Sequence, residues 1–323
     1  MTKAIQVHQT GGPEVLSWDD IEVGEPGPGQ VRLRQTAIGL NFIDVYHRTG
    51  LYPQPAPFIP GVEGAGVVEA VGPGVDWLRT GDRVAYSGPI GAYAEERLID
   101  ADRLVSLPDE VSDEQAAAML LQGMTAHMLL RRVYPVQAGD TILVHAAAGG
   151  VGLIMCQWAA ALGAMVIGTV STDAKAEIAQ AHGCAHPIVT SRQDFVAEVD
   201  RITGGAKLPV VYDSVGRDTF MGSLDCLAPR GMMVSFGNAS GPVDPISPLL
   251  LAQKGSLFLT RPTLFHYVAT RAELDTAANE LFEMVATGKI RVEVKQRFPL
   301  KDAAEAHRAL EARQTTGSSV LTV

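Results

Sequence analysis

The sequence lacks the features that mark membrane, secreted and nucleic-acid-binding proteins. No apolar run approaches the roughly 18 residues that a membrane-spanning helix needs. The N-terminus, Met1 to Gln6, has no apolar core of a signal peptide and instead predicts a first β-strand. The 26 basic residues are outnumbered by 36 acidic ones, the formal net charge is −10, and no basic arm or face stands out. We therefore expect neither a membrane nor a nucleic acid as partner.

Cysteine is also scarce, and its spacing is uninformative for metal or disulfide chemistry. The three cysteines, Cys156, Cys184 and Cys226, lie far apart and form neither a Cys-x-x-Cys pair nor a disulfide framework. A reducing cytoplasm is the simplest setting for such a chain, so we expect a cytoplasmic protein. The 323 residues are 46% hydrophobic and 19% charged, which is enough for about two globular domains with sizeable cores.

The first part of the chain, up to about residue 110, predicts a compact β-barrel. It is rich in Gly and Pro, and strand-forming runs at 31–38, 66–71 and 80–86 are separated by turn signals. A helix is predicted from Asp113 to about Arg132, with Ser112 as its N-cap and Gln115 completing a capping box.

From Thr141 onward strands and helices alternate, which predicts a parallel, doubly wound sheet. The last elements, helices at 272–286 and 301–312 and β segments at 292–298 and 319–323, do not extend that series. We expect them to return to the N-terminal domain. The predicted class is thus α/β, with a Rossmann-type sheet at 123–262 and a β-barrel domain at 1–122 that includes about 263–323.

The stretch from Thr141 to Gly152 joins the first strand of this series to its helix. Its small residues read Ala147-x-Gly149-x-x-Gly152, one substitution away from Gly-x-Gly-x-x-Gly. Gly149 would let backbone N–H groups approach phosphates, and Gly152 would let the helix lie close to its strand. Because a helix N-terminus carries partial positive charge, the stretch predicts a site for a dinucleotide pyrophosphate.

The second strand of the series favours NADPH over NADH. In NAD-binding folds this strand usually ends in Asp or Glu, which accepts from the ribose hydroxyls. Here it ends in Ser171 and Thr172, and Lys175 follows one turn later. A hydroxyl and an ammonium would bind a 2′-phosphate that a carboxylate would repel. In the alternative interpretation Lys175 is a solvated helix residue; Asp173 is expected to cap the next helix.

Eight short motifs together are typical of one family. The chain resembles the zinc-independent quinone oxidoreductases of the medium-chain dehydrogenase/reductase superfamily, the relatives of ζ-crystallin, over essentially its whole length. The resemblance implies a GroES-like catalytic domain, a Rossmann domain and a homodimer. The motifs are Gly11-Gly-Pro-Glu-Val15, Gly39-Leu-Asn-Phe-Ile-Asp44, Arg48-Thr-Gly-Leu-Tyr52, Gly61-Val-Glu-Gly-Ala-Gly66, Ala146-Ala-Ala-Gly-Gly-Val-Gly152, Tyr212-Asp-Ser-Val-Gly216, Val234-Ser-Phe-Gly-Asn238 and Gly317-Ser-Ser319.

The resemblance also implies residue roles. Bacterial members hold the 2′-phosphate partly with a Tyr near the end of the third strand; Thr190 occupies that place here, and we hypothesise that Arg192 supplies a replacement charge. The implied cofactor contacts are Asn41, Phe42, Ile43, Asp44 and Thr125 near the nicotinamide, Gly149, Gly150, Val151 and Gly152 at the pyrophosphate, Ser171, Lys175 and Thr190 at the 2′-phosphate, Ser214, Phe236, Gly237 and Asn238 along the ribose and nicotinamide sides, and Gly317 and Ser318 in a closing turn.

No metal is expected. Zinc-dependent members of the superfamily bind the metal through an early Cys and through the His of a Gly-His-Glu motif. Asn41 and Val62 stand at those places, and a carboxamide and an isopropyl group cannot replace thiolate and imidazole on zinc. The closely spaced cysteines of a structural zinc lobe are absent too.

Without a Lewis acid to lower the pKa of an alcohol, the expected substrates are acceptors already activated by conjugation. The leading hypothesis is an NADPH-dependent quinone reductase that works by hydride or electron transfer, with Asn41, Tyr46 or Tyr52 donating a hydrogen bond to the acceptor oxygen. An enoyl or alkenal double-bond reductase, and a nucleotide-binding protein with little catalysis, remain as alternatives.

Several of these polar residues also have a structural interpretation. Asn41 could hold a loop through side-chain bonds to the backbone, Asp44 could cap a helix beginning near Val45, and Tyr52 could be a packing residue. Glu63 is expected to have a structural hydrogen-bonding role, and His145 is expected to be a satisfied core histidine.

Overall fold

A computed structural model describes residues 1–323 as fifteen strands and ten helices. The strands are β1 Thr2–Val7, β2 Leu16–Ile21, β3 Gln30–Gly39, β4 Glu63–Val71, β5 Arg83–Ser87, β6 Glu96–Asp100, β7 Leu104–Ser106, β8 Thr141–Val144, β9 Met165–Val170, β10 His186–Val189, β11 Leu208–Asp213, β12 Leu227–Ser235, β13 Phe258–Thr260, β14 Val294–Pro299 and β15 Ser318–Thr322. The helices are α1 Phe42–Thr49, α2 Asp113–His127, α3 Gly150–Ala161, α4 Asp173–Ala181, α5 Phe195–Thr203, α6 Phe220–Asp225, α7 Pro248–Gln253, α8 Leu264–Tyr267, α9 Arg271–Ala286 and α10 Ala303–Glu311.

The chain divides into two compact units. The first unit comprises residues 1–124, 268–282 and 292–323, and the second comprises residues 125–267 and 283–291. None of the helices combines the length and the apolar character needed to span a bilayer.

The first unit is built on a seven-stranded sheet in which β14, β15, β3, β4, β5 and β7 follow one another and β6 pairs with β3. All of these pairs are antiparallel except β14 with β15, and β1 and β2 form a separate antiparallel pair. C-terminal residues complete its core, since Leu300, Ala303 and Leu321 pack with Leu33 and Val68. The predicted pattern of short strands separated by turns is confirmed.

The second unit contains a parallel six-stranded sheet in the order β10-β9-β8-β11-β12-β13. The chain moves outward from β8 to β10 and then returns to β11 on the other side of β8, so the strand order reverses there. In doubly wound sheets this reversal is where a nucleotide binds, beside the carboxyl ends of the strands. The predicted α/β class with a doubly wound parallel sheet is confirmed.

Most predicted boundaries shift by one to three residues. Helix α6 begins only at Phe220, because the carboxylate of Asp213 binds the N–H groups of Val215 and Gly216 and holds a turn there. The capping box at Ser112 and Gln115 is confirmed, but α2 ends at residue 127 and continues as a π-helical turn over 128–133.

Candidate functional site

The segment at residues 145–152, called the nucleotide turn below, runs from the end of β8 into the first turn of α3. Its residue Gly149 is the N-cap of α3, no side chain caps the helix, and no acidic residue lies in its first turn. The N–H groups of the first helical turn, from Gly150 to Gly152, therefore remain available to an anion. A Cβ on Gly152 would collide with the backbone of Ala146 and Ala147, so glycine is needed for the close approach of helix and strand. The predicted strand, turn and helix are confirmed, and their geometry fits a pyrophosphate.

His145, at the start of the nucleotide turn, is a fully satisfied core residue. It is 1% exposed, its Nδ1 lies 2.9 Å from the hydroxyl of Thr169, and its Nε2 lies 2.9 Å from the hydroxyl of Ser223. Burial lowers its pKa, which keeps the ring neutral. The structural interpretation of His145 is confirmed.

The turn after β11 is held by one buried carboxylate. Asp213 accepts hydrogen bonds from two backbone N–H groups and from the hydroxyls of Thr219 and Ser223. Ser214 lies within this turn, and a Cβ on Gly237 would collide with the backbone of Ser214. The structure therefore brings Ser214 and the 236–238 turn together, as two of the predicted cofactor-contacting segments.

The end of β9 carries the predicted 2′-phosphate residues. Thr172 is the N-cap of α4, and its hydroxyl accepts from the backbone N–H of Lys175 at 3.3 Å. The expectation that Asp173 caps this helix is wrong, because Asp173 is its first helical residue and its side chain is 74% exposed. A carboxylate in the first turn is attracted by the partial positive charge of the helix N-terminus, which explains the acidic residue at this position.

The neighbouring strand brings Thr190 and Arg192 to the same edge. Both the N–H and the hydroxyl of Thr190 bind the carbonyl oxygen of Val170, at 2.9 and 3.1 Å. The guanidinium of Arg192 forms an ion pair with Asp173 at 2.5 Å. The hydroxyl of Thr190 and the Arg192–Asp173 ion pair therefore lie at the end of β9, so polar groups line the place where a 2′-phosphate is predicted.

In the first unit, α1 and the turn after it form an aromatic cluster, which we define as Phe42, Tyr46 and Tyr52. The rings of Tyr46 and Tyr52 are 5.1 Å apart and steeply inclined, and those of Phe42 and Tyr46 are 6.3 Å apart. The N–H of Tyr52 binds the carbonyl oxygen of Tyr46 at 3.0 Å, which fixes the turn against the helix. Such rings provide flat apolar surface with hydroxyl groups at its margin, which suits a planar conjugated ligand.

Asn41, the N-cap of α1, is held by two side chains. Its Nδ2 donates to Glu63 at 2.7 Å, and its Oδ1 accepts from Gln122 at 3.1 Å. Asn41 and Asp44 also form a capping box at the start of α1, so the structural interpretation of Asn41 is supported, and its carboxamide is engaged by side chains in addition. Gln122 also accepts from the hydroxyl of Ser318 at 2.7 Å. The sequence interpretation missed Gln122, although a lone amide within the apolar run 116–124 was a signal that could have found it.

Two fully buried carboxyl groups lie on either side of Asn41. Burial raises the pKa of Glu63 to about 8, against the lowering effect of its bonds from Asn41 and from the N–H of Leu121. Burial likewise raises the pKa of Asp44 to about 7, against bonds from the N–H of Asn41 and the hydroxyl of Tyr93. The structural hydrogen-bonding role expected for Glu63 is confirmed.

Asp44 is not the cap of a helix that starts near Val45. Helix α1 begins at Phe42, and Asp44 is its third residue, reaching back to the N–H of the N-cap. Elsewhere, Thr125 is the one partly exposed residue in the otherwise buried stretch 116–130. No group of three or more His, Cys, Asp or Glu side chains is arranged to hold a metal ion.

Comparison with known proteins finds a match in the N-terminal part of the chain and another in the following part. Residues 27–109 match the sequence family described as the alcohol dehydrogenase GroES-like domain, and residues 150–283 match the family described as zinc-binding dehydrogenase. A quinone oxidoreductase of Pseudomonas aeruginosa is 55% identical over 99% of both chains. A 2-haloacrylate reductase of a Burkholderia species is 50% identical, also over 99% of both.

A solved structure gives the same result in three dimensions. The Escherichia coli quinone oxidoreductase complexed with NADPH superimposes with a TM-score of 0.98 at 50% identity, covering 99% of this chain and 100% of that one. Identity at this level over the full length is shared by members of one family, so this chain belongs to the quinone oxidoreductases of the medium-chain dehydrogenase/reductase superfamily.

Proposed function

We infer that this protein reduces quinones at the expense of NADPH. The observation that carries the inference is the group of hydroxyls and cations at the end of β9, where an NAD-binding fold would have a carboxylate, in a full-length member of the quinone oxidoreductase family. Bound NADPH supplies the reducing equivalents, as a hydride or as electrons.

The second unit holds the cofactor. The N–H groups at Gly150 and Val151 bind the pyrophosphate, with Gly149 and Gly152 shaping the turn. The remaining proposed contacts are Ser171, Lys175 and Thr190 at the 2′-phosphate, Ser214 at the adenine ribose, and Thr125, Phe236, Gly237 and Asn238 at the nicotinamide side.

Arg192 supports the phosphate site through its ion pair with Asp173. The pair neutralises the carboxylate at this edge, which would otherwise repel the phosphate. Thr190, which binds the end of β9, adds a hydroxyl rather than the aromatic ring of the bacterial relatives.

The first unit binds the acceptor. The aromatic cluster provides surface for a planar ring, and Tyr46 or Tyr52 donates a hydrogen bond to the oxygen on which charge develops. Asn41 keeps one amide hydrogen beyond the one it gives to Glu63, so it can serve as a further donor. No residue need act as a general acid, because the reduced quinone oxygen takes its proton from water. Ile43, Gly317 and Ser318 are the remaining proposed cofactor contacts.

A second candidate function is reduction of a conjugated carbon–carbon double bond. It is favoured by the 50% identity with a 2-haloacrylate reductase, whose named substrate class is an activated alkene. Both reactions take electrons from the same donor, so they differ only in the acceptor that the aromatic cluster admits.

Parallel assays separate the two candidates. Stopped-flow oxidation of NADPH is followed with a naphthoquinone, with phenanthrenequinone, with an alkenal and with 2-chloroacrylate. We expect turnover of the quinones to exceed that of both alkenes. Rapid reduction of an alkene without turnover of any quinone would overturn the leading proposal and establish the second.

We also propose that the protein is a cytoplasmic homodimer. Strand β13 is an edge strand that pairs only with β12, and it exposes Phe258 and Leu259, at 59% and 39% of their surface. An apolar, unpaired strand edge is a template for pairing with another chain, here a second copy. The cytoplasmic assignment is supported by the three cysteines, all of which are free thiols.

A further inference from the structure

A chain of buried hydrogen bonds in the first unit links Asp44 to a surface ion pair. The Oδ2 of Asp44 lies 3.0 Å from the hydroxyl of Tyr93, and that hydroxyl lies 3.0 Å from Nε2 of His307. The Nδ1 of His307 lies 3.0 Å from Nη1 of Arg48, and Arg48 forms a two-pronged ion pair with Glu311. Asp44, Tyr93, His307 and Arg48 are all at most 1% exposed, whereas the side chain of Glu311 is 35% exposed.

The chemistry of Arg48 fixes the direction of every bond in this chain. A guanidinium only donates, so Nδ1 of His307 must accept and its proton must sit on Nε2. Nε2–H then donates to the oxygen of Tyr93, whose single hydrogen is left to donate to Asp44. Burial and the charge of Arg48 lower the pKa of His307 to about 3, so the ring is neutral and this tautomer persists.

All bonds therefore point toward Asp44 and favour its ionised form. The Oδ2 of Asp44 accepts from Tyr93 and from the N–H of Asn41, whereas its buried Oδ1 has no partner. Loss of either donor would raise the pKa of Asp44, because burial, which favours the protonated acid, would be opposed by fewer hydrogen bonds. The other charged or titratable groups near Asp44 are Glu63 on β4, Tyr86 on β5, His307 on α10 and Arg48 on α1.

We propose that Arg48, His307 and Tyr93 are positioning residues that favour the ionised form of Asp44 and thereby fix the N-terminus of α1, where Asn41 and the aromatic cluster begin. Arg48 does not release a proton at any working pH, so the chain is an orienting device and not a proton path. The effect on catalysis rests on the proposed function, because it assumes that the acceptor binds at α1.

The first test titrates Asp44 in the protein without NADPH. Aspartate labelled with ¹³C at the side-chain carboxyl is followed by NMR, and Asp44→Asn identifies the signal. In Tyr93→Phe the pKa of Asp44 should rise by about one unit, since a hydrogen bond to its charged form is lost. Tyr86→Phe is the matched control, because it removes another buried tyrosine hydroxyl, one that donates to Gln35. If the pKa of Asp44 were the same in Tyr93→Phe as in the wild type, the proposal would be overturned.

The second test asks whether the charge of Asp44 matters for turnover. The kcat/KM for a naphthoquinone should fall as pH falls through the range where Asp44 takes up its proton. In Tyr93→Phe this fall in kcat/KM, the acid limb of the pH profile, should move to higher pH by the same amount as the pKa of Asp44. A merely structural role would lower the melting temperature of both Phe variants and leave the limb in place. If the pKa of Asp44 rose but the acid limb of the kcat/KM profile stayed in place, the proposal would also be overturned.

Two substitutions of His307 complete the design. Gln at 307 offers an acceptor to Arg48 and a donor to Tyr93, so His307→Gln should retain the wild-type profile. His307→Leu offers neither and should behave like Tyr93→Phe; identical profiles for the two would contradict the orienting role. If the protein reduced no quinone, the proposed function would fall, and the carboxyl titration would still decide the chain of bonds.

Discussion

At the scale of single residues, the two cations near the end of β9, Arg192 and Lys175, have different roles. Arg192 is committed to Asp173, the carboxylate that would otherwise repel an anion there. Lys175 lies in the first turn of α4, where its backbone N–H completes the N-cap and its side chain carries an ammonium group. We therefore assign cofactor discrimination to Lys175 and charge compensation to Arg192.

Replacing Lys175 with Ala should raise the KM for NADPH by about 10-fold to 100-fold and leave the KM for NADH nearly unchanged. The reason is the loss of a charge-assisted hydrogen bond to a group that only NADPH carries. Steady-state kinetics with both cofactors measures the effect. Arg201→Ala, which removes an exposed cation paired with Glu198 on α5, is the matched control. Equal increases for both cofactors would remove the case for a phosphate site.

Glu63 should make the protein lose stability as pH rises. Burial raises the pKa of Glu63 to about 8 from an ordinary 4.5, so the folded state holds a proton that the unfolded state releases. The stabilising effect of this proton on the free energy of unfolding is fully present below pH 4.5 and is lost as pH rises to about 8. In Glu63→Gln the fall in the free energy of unfolding between pH 5 and pH 8 should shrink by on the order of 3 kcal/mol. Urea unfolding at several pH values measures this, and a wild-type slope in the variant would contradict it.

At the scale of elements, periodicity and glycine placement were sufficient to predict the parallel sheet and the nucleotide turn. Each strand of the second unit is a short apolar run followed by a helical segment, so local sequence carries the information. The contacts of Tyr93 with His307 and of Asn41 with Gln122 join residues far apart in the chain. Only the folded sheet brings such residues together, and for this reason the buried networks around α1 were not predictable.

The nucleotide turn should tolerate alanine at one glycine and not at the other. In Gly152→Ala the new Cβ meets the carbonyl oxygen of Ala146 and lies 2.8 Å from Cα of Ala147, both rigid backbone atoms. We expect a loss of about 1–3 kcal/mol in stability and weaker NADPH binding. In Gly149→Ala the new Cβ meets one atom at 3.2 Å, and φ is −81°, an ordinary value.

Thermal unfolding and NADPH titration compare these two variants directly. Gly149→Ala serves as the matched control, since it adds the same methyl group to the same turn. A Gly149→Ala protein as unstable as Gly152→Ala would show that the close approach of α3 to β8 does not depend on Gly152.

At the scale of the whole molecule, each unit has its own core but the second leaves one apolar edge uncovered. Residues from the C-terminal part of the chain complete the core of the first unit, whose sheet has β14 and β7 as its edge strands. In the second unit the sheet ends at β13, a three-residue strand with exposed apolar side chains. The net charge of −10 keeps random association of such surfaces low, so a defined pairing is favoured over aggregation.

Phe258→Glu should convert the proposed homodimer into a monomer that still folds. The side chain of Phe258 is largely exposed, so the substitution costs the isolated chain little, but in a symmetric pair it places two like charges at the interface. Light scattering coupled to size exclusion should give about twice the 34.3 kDa chain mass for the wild type and the chain mass for the variant. Met221→Glu, a second exposed apolar residue of the same unit on α6, should remain dimeric. A stable interface buries about 800 Å² on each partner, and we expect such an interface to hold the dimer together at micromolar concentration. If the wild type were monomeric at that concentration, β13 would not be a pairing edge.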